Sequence, residues 1–226
     1  MRKIPYGVMN FKRLIEENCI YVDKTKYIEK LEQTEDLATS MYLRPGRFGK
    51  SLFTSMLNYY YGIEYKNEFE QIFGNLYIGK NPTENKNKYY ILKMDFSGLD
   101  ANNETTLSQM QEMFKNKVQE GIKDFIKKYN LDIDYTNYET PASLIGNFFV
   151  DFRNIKKDAK IYVIIDEYDN FTNGILQGNG ENFLKLVSGE GFIKAFYARI
   201  KEEIGIGTVE RFFATGIAPV TLDSMT

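Results

Sequence analysis

The chain alternates between two patterns of apolar residues. Near-continuous apolar runs predict strands at residues 37–43, 89–96, 160–167 and 209–215. Between these runs, apolar residues repeat every three or four positions, which predicts helices. The longest predicted helix covers residues 106–129 and carries the stripe Leu107, Met110, Phe114, Val118, Ile122 and Phe125. Strands that alternate with helices indicate an α/β fold built on a mainly parallel sheet.

Shorter patterns divide the rest of the chain. Helical spacing predicts helices near residues 11–17, 24–31, 52–61, 69–73, 141–152 and 192–204. We interpret Asp23 as an N-cap, with a ligand contact as the alternative. Gly62 is expected to end a helix with a positive φ, and residues 205–207 are expected to form a turn. The glycines at 178–180 and 189–191 follow no predicted strand, so we interpret them as turns.

A glycine-containing loop follows the first predicted strand. Gly49-Lys50-Ser51 match the end of the phosphate-binding pattern G-x-x-x-x-G-K-[ST], but Arg44 stands where that pattern has its first glycine. In such loops, backbone N–H groups and the start of the next helix surround a phosphate, while the lysine reaches the outer phosphates and the hydroxyl binds Mg²⁺. The incomplete match leaves two interpretations open, a nucleotide site and an arginine-rich surface turn. The candidate phosphate-binding residues are Arg44, Pro45, Gly46, Arg47, Phe48, Gly49, Lys50 and Ser51.

Two carboxylates end the third predicted strand. Residues 161–165 are apolar and mostly β-branched, and Asp166 and Glu167 follow them directly. This is the Walker B arrangement, in which Asp166 would hold Mg²⁺ and Glu167 would polarise a water for attack on the γ-phosphate. The alternative is a strand that ends in an acidic turn, but the upstream Gly-Lys-Ser loop favours a nucleotide site.

The fourth predicted strand ends in a polar residue, Thr215. Because ligands bind beyond the carboxyl ends of parallel strands, Thr215 is a candidate contact to the γ-phosphate or the attacking water. A cap or turn before Pro219 is the alternative. The candidate catalytic residues are therefore Lys50, Glu167 and Thr215, and the candidate Mg²⁺ ligands are Ser51 and Asp166.

Composition narrows the classes of function. Lys and Arg number 29 against 31 Asp and Glu, so the overall charge attracts neither nucleic acid nor an anionic membrane. The absence of histidine excludes His-containing zinc sites and Ser-His dyads within this chain. One cysteine, no recognisable leader and only short apolar runs predict a cytoplasmic protein without membrane contact.

The chain resembles the AAA-ATPase-like family of microbial P-loop proteins, whose members commonly carry a PD-(D/E)XK nuclease-like domain downstream. The resemblance covers nearly the whole chain. The family tends to have Arg-Pro in place of the first glycine, so Arg44 fits it, whereas Gly46 departs from the Arg or Pro often found there. The segments that carry the resemblance are Ile4-Pro5-Tyr6-Gly7 with Phe11, Tyr21-Val22-Asp23-Lys24-Thr25, Arg44-Pro45, Arg47-Phe48-Gly49-Lys50-Ser51, Ile165-Asp166-Glu167-Tyr168-Asp169 and Thr215-Gly216 with Pro219.

The resemblance implies a three-layer α/β/α P-loop NTPase of AAA-like type. Residues 1–35 would form a helical and extended segment on a core of residues 36–226. It implies ATP and Mg²⁺ as cofactors, Thr215 on the sensor strand, and residues 23–25 near the nucleotide. Members continue past residues 219–224 into a lid and usually the nuclease-like domain, so we expect the last strand, the lid and any arginine finger to be missing.

Two functions follow as expectations. The first is an ATP-binding, Mg²⁺-dependent module with weak or incomplete hydrolysis. The second is a catalytically inactive module that binds nucleotide or a partner and regulates that partner or a missing nuclease-like domain. Self-association or a protein partner fits both, and nucleic acid would be involved only indirectly.

Overall fold

A parallel sheet forms the centre of the computed structural model, which describes residues 2–33, 38–99, 105–170 and 191–218. Its strands are β1 (Thr39–Leu43), β2 (Tyr90–Asp95), β3 (Ile161–Asp166) and β4 (Val209–Gly216). They lie in the order β1-β4-β3-β2, and every neighbouring pair is parallel. The predicted α/β class and parallel sheet are confirmed.

Helices cover both faces of this sheet. In the described part of the chain they are α1 (Phe11–Glu16), α2 (Lys26–Gln33), α3 (Lys50–Tyr61), α4 (Phe69–Phe73), α5 (Tyr77–Lys80), α6 (Leu107–Tyr129), α7 (Pro141–Ile155) and α8 (Phe192–Ile206). Helices α6, α7 and α8 enclose one apolar core, and α1 to α5 enclose the other. The predicted three-layer arrangement is therefore confirmed.

Strand β3 shows why the sequence folds in this way. All six of its residues are buried, and its side chains alternate between the two cores. Val163 and Ile165 pack with α6, α7 and α8, whereas Tyr162 and Ile164 pack with α1 to α5. A strand buried on both faces needs apolar side chains on both, which explains the continuous apolar run of residues 161–165 before Asp166.

Capping residues set the starts of the two long helices before β3. Thr106 forms a capping box with Gln109 at the start of α6, and Thr140 does so with Ser143 at the start of α7. Pro141 occupies the first turn of α7, where the missing N–H costs no hydrogen bond. Both helices begin where the sequence predicts.

Several local predictions need correction. The apolar run at residues 37–43 predicts a buried strand, but β1 is only half-buried along its length, because it lies at an edge of the described sheet. Helix α3 does end before Gly62, but Gly62 has φ −66; a side chain there would meet the carbonyl of Asn58 at 2.7 Å. Helix α8 continues through Gly205 to Ile206. The predicted turn at 178–180, most of the one at 189–191 and the segment 219–226 lie outside the described residues.

The Asp23 prediction also changes. Helix α2 starts only at Lys26, and Asp23 accepts from the N–H of Thr25 at 2.8 Å rather than from the helix. Its other oxygen accepts from the N–H of Tyr77 at 2.7 Å. The Thr25 hydroxyl accepts from the N–H of Ile78 at 3.1 Å. Residues 23–25 therefore anchor the start of α5.

Candidate functional site

The loop of residues 44–49 joins β1 to α3 at the carboxyl edge of the sheet. Two of its residues have a left-handed backbone, Arg47 with φ 67 and Gly49 with φ 80. Glycine adopts this conformation readily, but arginine pays about 1–3 kcal/mol for it. Such strain persists only where the surrounding structure enforces it, and it is concentrated at binding sites.

The start of α3 faces this loop. Gly49 is the N-cap of the helix, and no described side chain caps its first turn. The first N–H groups of an α-helix have no partner within the helix, and they carry its partial positive charge. The start of this twelve-residue helix is therefore suited to an anion.

Lys50 places a buried positive charge inside the loop. Only 5% of the residue is exposed. Its ammonium donates to the carbonyl oxygens of Arg44 at 3.0 Å and Pro45 at 3.3 Å. An ammonium has three protons, so these two contacts leave one for a further acceptor such as a phosphate oxygen.

Arg44 takes the place of a glycine without filling the loop. Its N–H donates to the carbonyl of Gly216 at 2.9 Å and so continues the pairing of β1 with β4. Its guanidinium lies 5.3 Å from the centre of the Tyr42 ring and donates to the carbonyl of Leu43 at 2.9 Å. The side chain therefore turns back over β1.

The two carboxylates end β3 beside the loop, and Thr215 connects them. Asp166 is buried, and its Oδ1 accepts from the Thr215 hydroxyl. The same hydroxyl oxygen accepts from the N–H of Glu167 at 3.2 Å. Glu167 has a left-handed backbone, with φ 53. Thr215 thus fixes both the Asp166 side chain and the backbone that directs Glu167.

Glu167 lies in an environment that favours its protonated form. Burial, followed by the neighbouring charge of Asp166, raises the pKa of Glu167, and Lys50 partly opposes this effect. A carboxylate with a raised pKa is a stronger base than an ordinary one. The site therefore combines a cationic loop with a partly buried carboxyl group whose pKa is raised.

A cavity of about 580 Å³ opens between the loop and the amino-terminal segment. Its polar side consists of loop residues and Glu167, and its other side is the mostly apolar segment of residues 5–9 together with Leu14 and Leu52. The candidate residues that line it are Gly46, Arg47, Gly49, Lys50, Ser51 and Glu167.

The remaining candidates belong to the same site without lining the cavity. Arg44 and Pro45 form the base of the loop, and Phe48 is 57% exposed at its surface. Asp166 and Thr215 are buried behind Glu167. The folded chain therefore brings together residues from three regions of the sequence.

The sequence analysis assigned no role in this site to three of its contributors. Thr54, on the first turns of α3, donates to the carbonyl of Ser51 at 2.9 Å and approaches Asp166 Oδ2 at 3.5 Å. Asp169 is buried beside the end of β4. Residues 5–9 supply one wall of the cavity. A threonine one turn after Lys50 was the signal in the sequence for Thr54, whereas the other two depend on contacts distant in sequence.

Of residues 23–25, which the resemblance places near the nucleotide, Lys24 shares a cavity with the loop. Lys24 lines a smaller cavity, of about 170 Å³, together with Gly49, Leu52 and Phe53. Asp23 and Thr25 are occupied by the start of α5, as described above. The cap interpretation is therefore wrong for Asp23, and the ligand contact stays a prediction for Lys24.

The donor set is compatible with Mg²⁺. Within the described ranges, no group of three or more His, Cys, Asp or Glu side chains could hold a metal alone. Mg²⁺ in nucleotide sites needs only one or two protein groups, because phosphates and waters complete its six ligands. A serine hydroxyl at the start of α3 and a buried carboxylate held by Thr54 and Thr215 supply such groups.

The parallel sheet, the loop before α3 and the carboxylates at the end of β3 define a P-loop-like three-layer α/β domain. A family model described as a predicted AAA-ATPase matches residues 5–226, so the chain belongs to this AAA-ATPase-like family. Searches of curated proteins and of solved structures found no match. Of the helices described, none has the length and apolar character needed to cross a membrane.

Proposed function

We propose that this chain binds ATP with Mg²⁺ as a P-loop ATPase-like module that hydrolyses ATP weakly or incompletely. One observation carries the proposal: Lys50, Ser51 and Glu167 line a single cavity with the start of α3. That combination offers backbone donors, a cation, a hydroxyl and a base to one ligand, which is the set that phosphoryl transfer requires.

The triphosphate would lie along the loop. The open N–H groups of α3 and the Lys50 ammonium would bind its β- and γ-phosphates. Ser51 and Asp166 would hold Mg²⁺, which when bound neutralises phosphate charge and polarises the reacting phosphoryl group. Thr54 and Thr215 would keep the Asp166 carboxylate in place, each through a different carboxylate oxygen.

Glu167 would act on the water that attacks the γ-phosphate. Its carboxylate lines the cavity, and its raised pKa favours acceptance of a proton. Thr215 hydrogen-bonds to both acidic residues and is fully buried, so we assign it a positioning role rather than direct contact with the phosphate.

The nucleoside would lie against residues 5–9. Pro5, Tyr6, Val8 and Met9 give this wall an apolar surface, and Leu14 and Leu52 continue it. Ligand pockets commonly bind flat ring systems on such walls, while a few polar groups fix the orientation of the ligand. Tyr6 and Met9 are strongly exposed, with 98% and 66% of their surfaces accessible, and a bound base would cover part of them.

Calorimetric titration of ATP with Mg²⁺ into the chain and into Lys50→Ala tests the proposal. Loss of a charge-assisted contact should weaken the affinity by roughly 10–100-fold. Lys194→Ala, on α8 and distant from the cavity residues in sequence, serves as the lysine control and should bind like the parent. Equal affinity of the Lys50→Ala protein and the parent would contradict the proposal.

Glu167→Gln separates binding from turnover. The amide keeps the size of the side chain but cannot accept the proton from water, so phosphate release should stop while ATP binding persists. Glu202→Gln, an exposed acid on α8, is the matched control. A parent protein that binds ATP but releases no phosphate would identify the inactive nucleotide-binding module instead.

A further inference from the structure

Asp169 is a buried acid to which the proposed function assigns no role. Only 1% of the residue is exposed. Its Oδ2 accepts from two successive backbone N–H groups, those of Ile217 at 2.8 Å and Ala218 at 2.7 Å. Both residues directly follow β4, the strand that ends with Thr215 and Gly216.

Tyr168 also connects the end of β3 to the end of β4. Its N–H donates to the carbonyl of Thr215 at 2.9 Å, and its hydroxyl donates to the carbonyl of Ala218 at 2.5 Å. Gly216 packs directly against the pair, since an added Cβ there would lie 2.4 Å from the Tyr168 ring and 2.6 Å from Asp169 Oδ1. We name residues 168–169 and 216–218 the β3–β4 clamp.

The contacts of the clamp hold Thr215 in place. Thr215 lies next to Gly216, and its carbonyl is bound by Tyr168. Its hydroxyl is the group that holds the Asp166 side chain and the Glu167 N–H. A shift of residues 216–218 would therefore move the hydroxyl on which both acidic residues depend.

The hydrogen bonds that Asp169 accepts should contribute strongly to the stability of the clamp. Hydrogen bonds to an ionised carboxylate are about twice as strong as neutral ones. A buried charge is tolerated only when it is well paired, and two backbone N–H groups buried without an acceptor would be costly. Removal of this carboxylate should therefore release residues 217–218 from the end of β3.

We propose that Asp169 is a positioning residue of the nucleotide site: it fixes the chain after β4, and through Thr215 it holds Asp166 and Glu167 in place for the Mg²⁺-bound nucleotide. The positioning role rests on the proposed function, because Asp166 and Glu167 need the nucleotide in order to act. The clamp itself does not depend on the nucleotide.

Two measurements on the full chain test the inference. Amide hydrogen exchange at Ile217 and Ala218, without nucleotide, reports on the clamp. Affinity for ATP measured with and without Mg²⁺ reports on Asp166. In Asp169→Ala, we expect exchange at both amides to accelerate about tenfold or more, and the gain in affinity caused by Mg²⁺ to fall about tenfold. Affinity without Mg²⁺ should stay within about threefold of the parent, because the loop is intact.

Two milder variants and one control complete the design. Asp169→Asn keeps an acceptor oxygen, and Tyr168→Phe loses only the hydroxyl contact to Ala218. Both variants should therefore show the same changes at smaller size, and they replace Asp169→Ala in the test if that variant does not fold.

Glu203→Ala controls for general destabilisation. Glu203 is another buried acid and pairs with Arg153. This pair lies near the amino end of β4, whereas the site lies at the carboxyl ends of the strands, so loss of Glu203 should not change the Mg²⁺ effect.

Each outcome has one meaning. Faster exchange together with a lost Mg²⁺ effect in the Asp169 variants, but not in Glu203→Ala, supports the positioning role. Faster exchange with an unchanged Mg²⁺ effect overturns it and leaves Asp169 with a purely structural role. A parent protein that binds no ATP overturns the proposed function and the positioning role with it, while the exchange data still report on the clamp.

Discussion

At the scale of single residues, Glu167 combines several unusual features of the site. Its backbone is left-handed, its side chain lines the cavity, and its N–H is held by Thr215. A left-handed glutamate costs about 1–3 kcal/mol unless surrounding contacts enforce it. The hydrogen bonds of Thr215 to the residues on either side, Asp166 and Tyr168, supply that enforcement.

The raised pKa of Glu167 predicts a pH-dependent effect of Glu167→Gln on stability. Burial and Asp166 raise the pKa above the ordinary 4.5, so ionisation of Glu167 weakens the folded state as the pH rises through the folded-state value. The variant should therefore melt at a higher temperature than the parent at pH 7, and the difference should vanish below pH 4.5. The effect should be small, because the side chain is only partly buried.

Thermal melts of both proteins between pH 4 and pH 8 in steps of about one unit measure this difference. Glu202→Gln, on the exposed face of α8, should melt like the parent throughout the range. A stabilisation that persisted unchanged at the acid end would show that the gain does not come from the ionisation of Glu167.

At the scale of elements, the loop between β1 and α3 explains how arginine can replace a glycine. Such loops need an open backbone at their centre, and Gly49 with Arg47 supplies it through left-handed conformations. The Arg44 side chain leaves the loop and stacks on Tyr42, so its bulk does not reach the space where a phosphate would lie. The two positions should therefore differ sharply in their tolerance of substitution.

Arg44→Ala and Gly49→Ala form a matched pair that tests this difference. Arg44→Ala should leave the affinity for ATP within about threefold, because only the side-chain contacts to Tyr42 and to the carbonyl of Leu43 are lost. Gly49→Ala should destabilise the protein by about 1–2 kcal/mol, since its φ of 80 disfavours any side chain although no atom obstructs one. It should also weaken ATP binding, as the loop relaxes away from its phosphate-binding shape. Chemical denaturation and calorimetry measure the two effects, and equal behaviour of the two variants would contradict this account.

At the scale of the whole molecule, the site joins parts that are far apart in the chain. Residues 5–9 and the loop form its walls, and β3 and β4 contribute the groups at its base. A ligand that binds only this assembled arrangement must stabilise the whole fold, because the unfolded chain has no such cavity.

ATP with Mg²⁺ should therefore raise the melting temperature of the parent. At a ligand concentration of about 100 times the dissociation constant, the stabilisation is about 2.7 kcal/mol, which corresponds to roughly 5–10 °C for a chain of this size. Adenosine, which lacks phosphates, should give a much smaller shift, and so should ATP with Lys50→Ala. Equal shifts with adenosine and ATP would place the binding energy outside the loop.

The sequence by itself determined the order and type of the main elements. Long helices and buried strands have clear apolar periods, which placed α6 at residues 106–129 and the start of α7 at Pro141. It also predicted that Lys50, Ser51, Asp166 and Glu167 would meet, because the ends of parallel strands share one edge of the sheet. The weaker predictions, such as Asp23 as a helix cap, concerned single polar residues whose partners could lie anywhere in the chain.

Only the tertiary structure decided what each polar side chain touches. Asp23 contacts α5 rather than α2, Thr215 bonds to Asp166 and to the N–H of Glu167, and Asp169 binds the chain after β4. The amino-terminal residues 5–9 become a cavity wall only because α1 packs its Phe11 beside α3 and α4. The physical reason is the same in each case: apolar periodicity is a local property of the chain, whereas a hydrogen bond needs a partner that folding brings from tens of residues away.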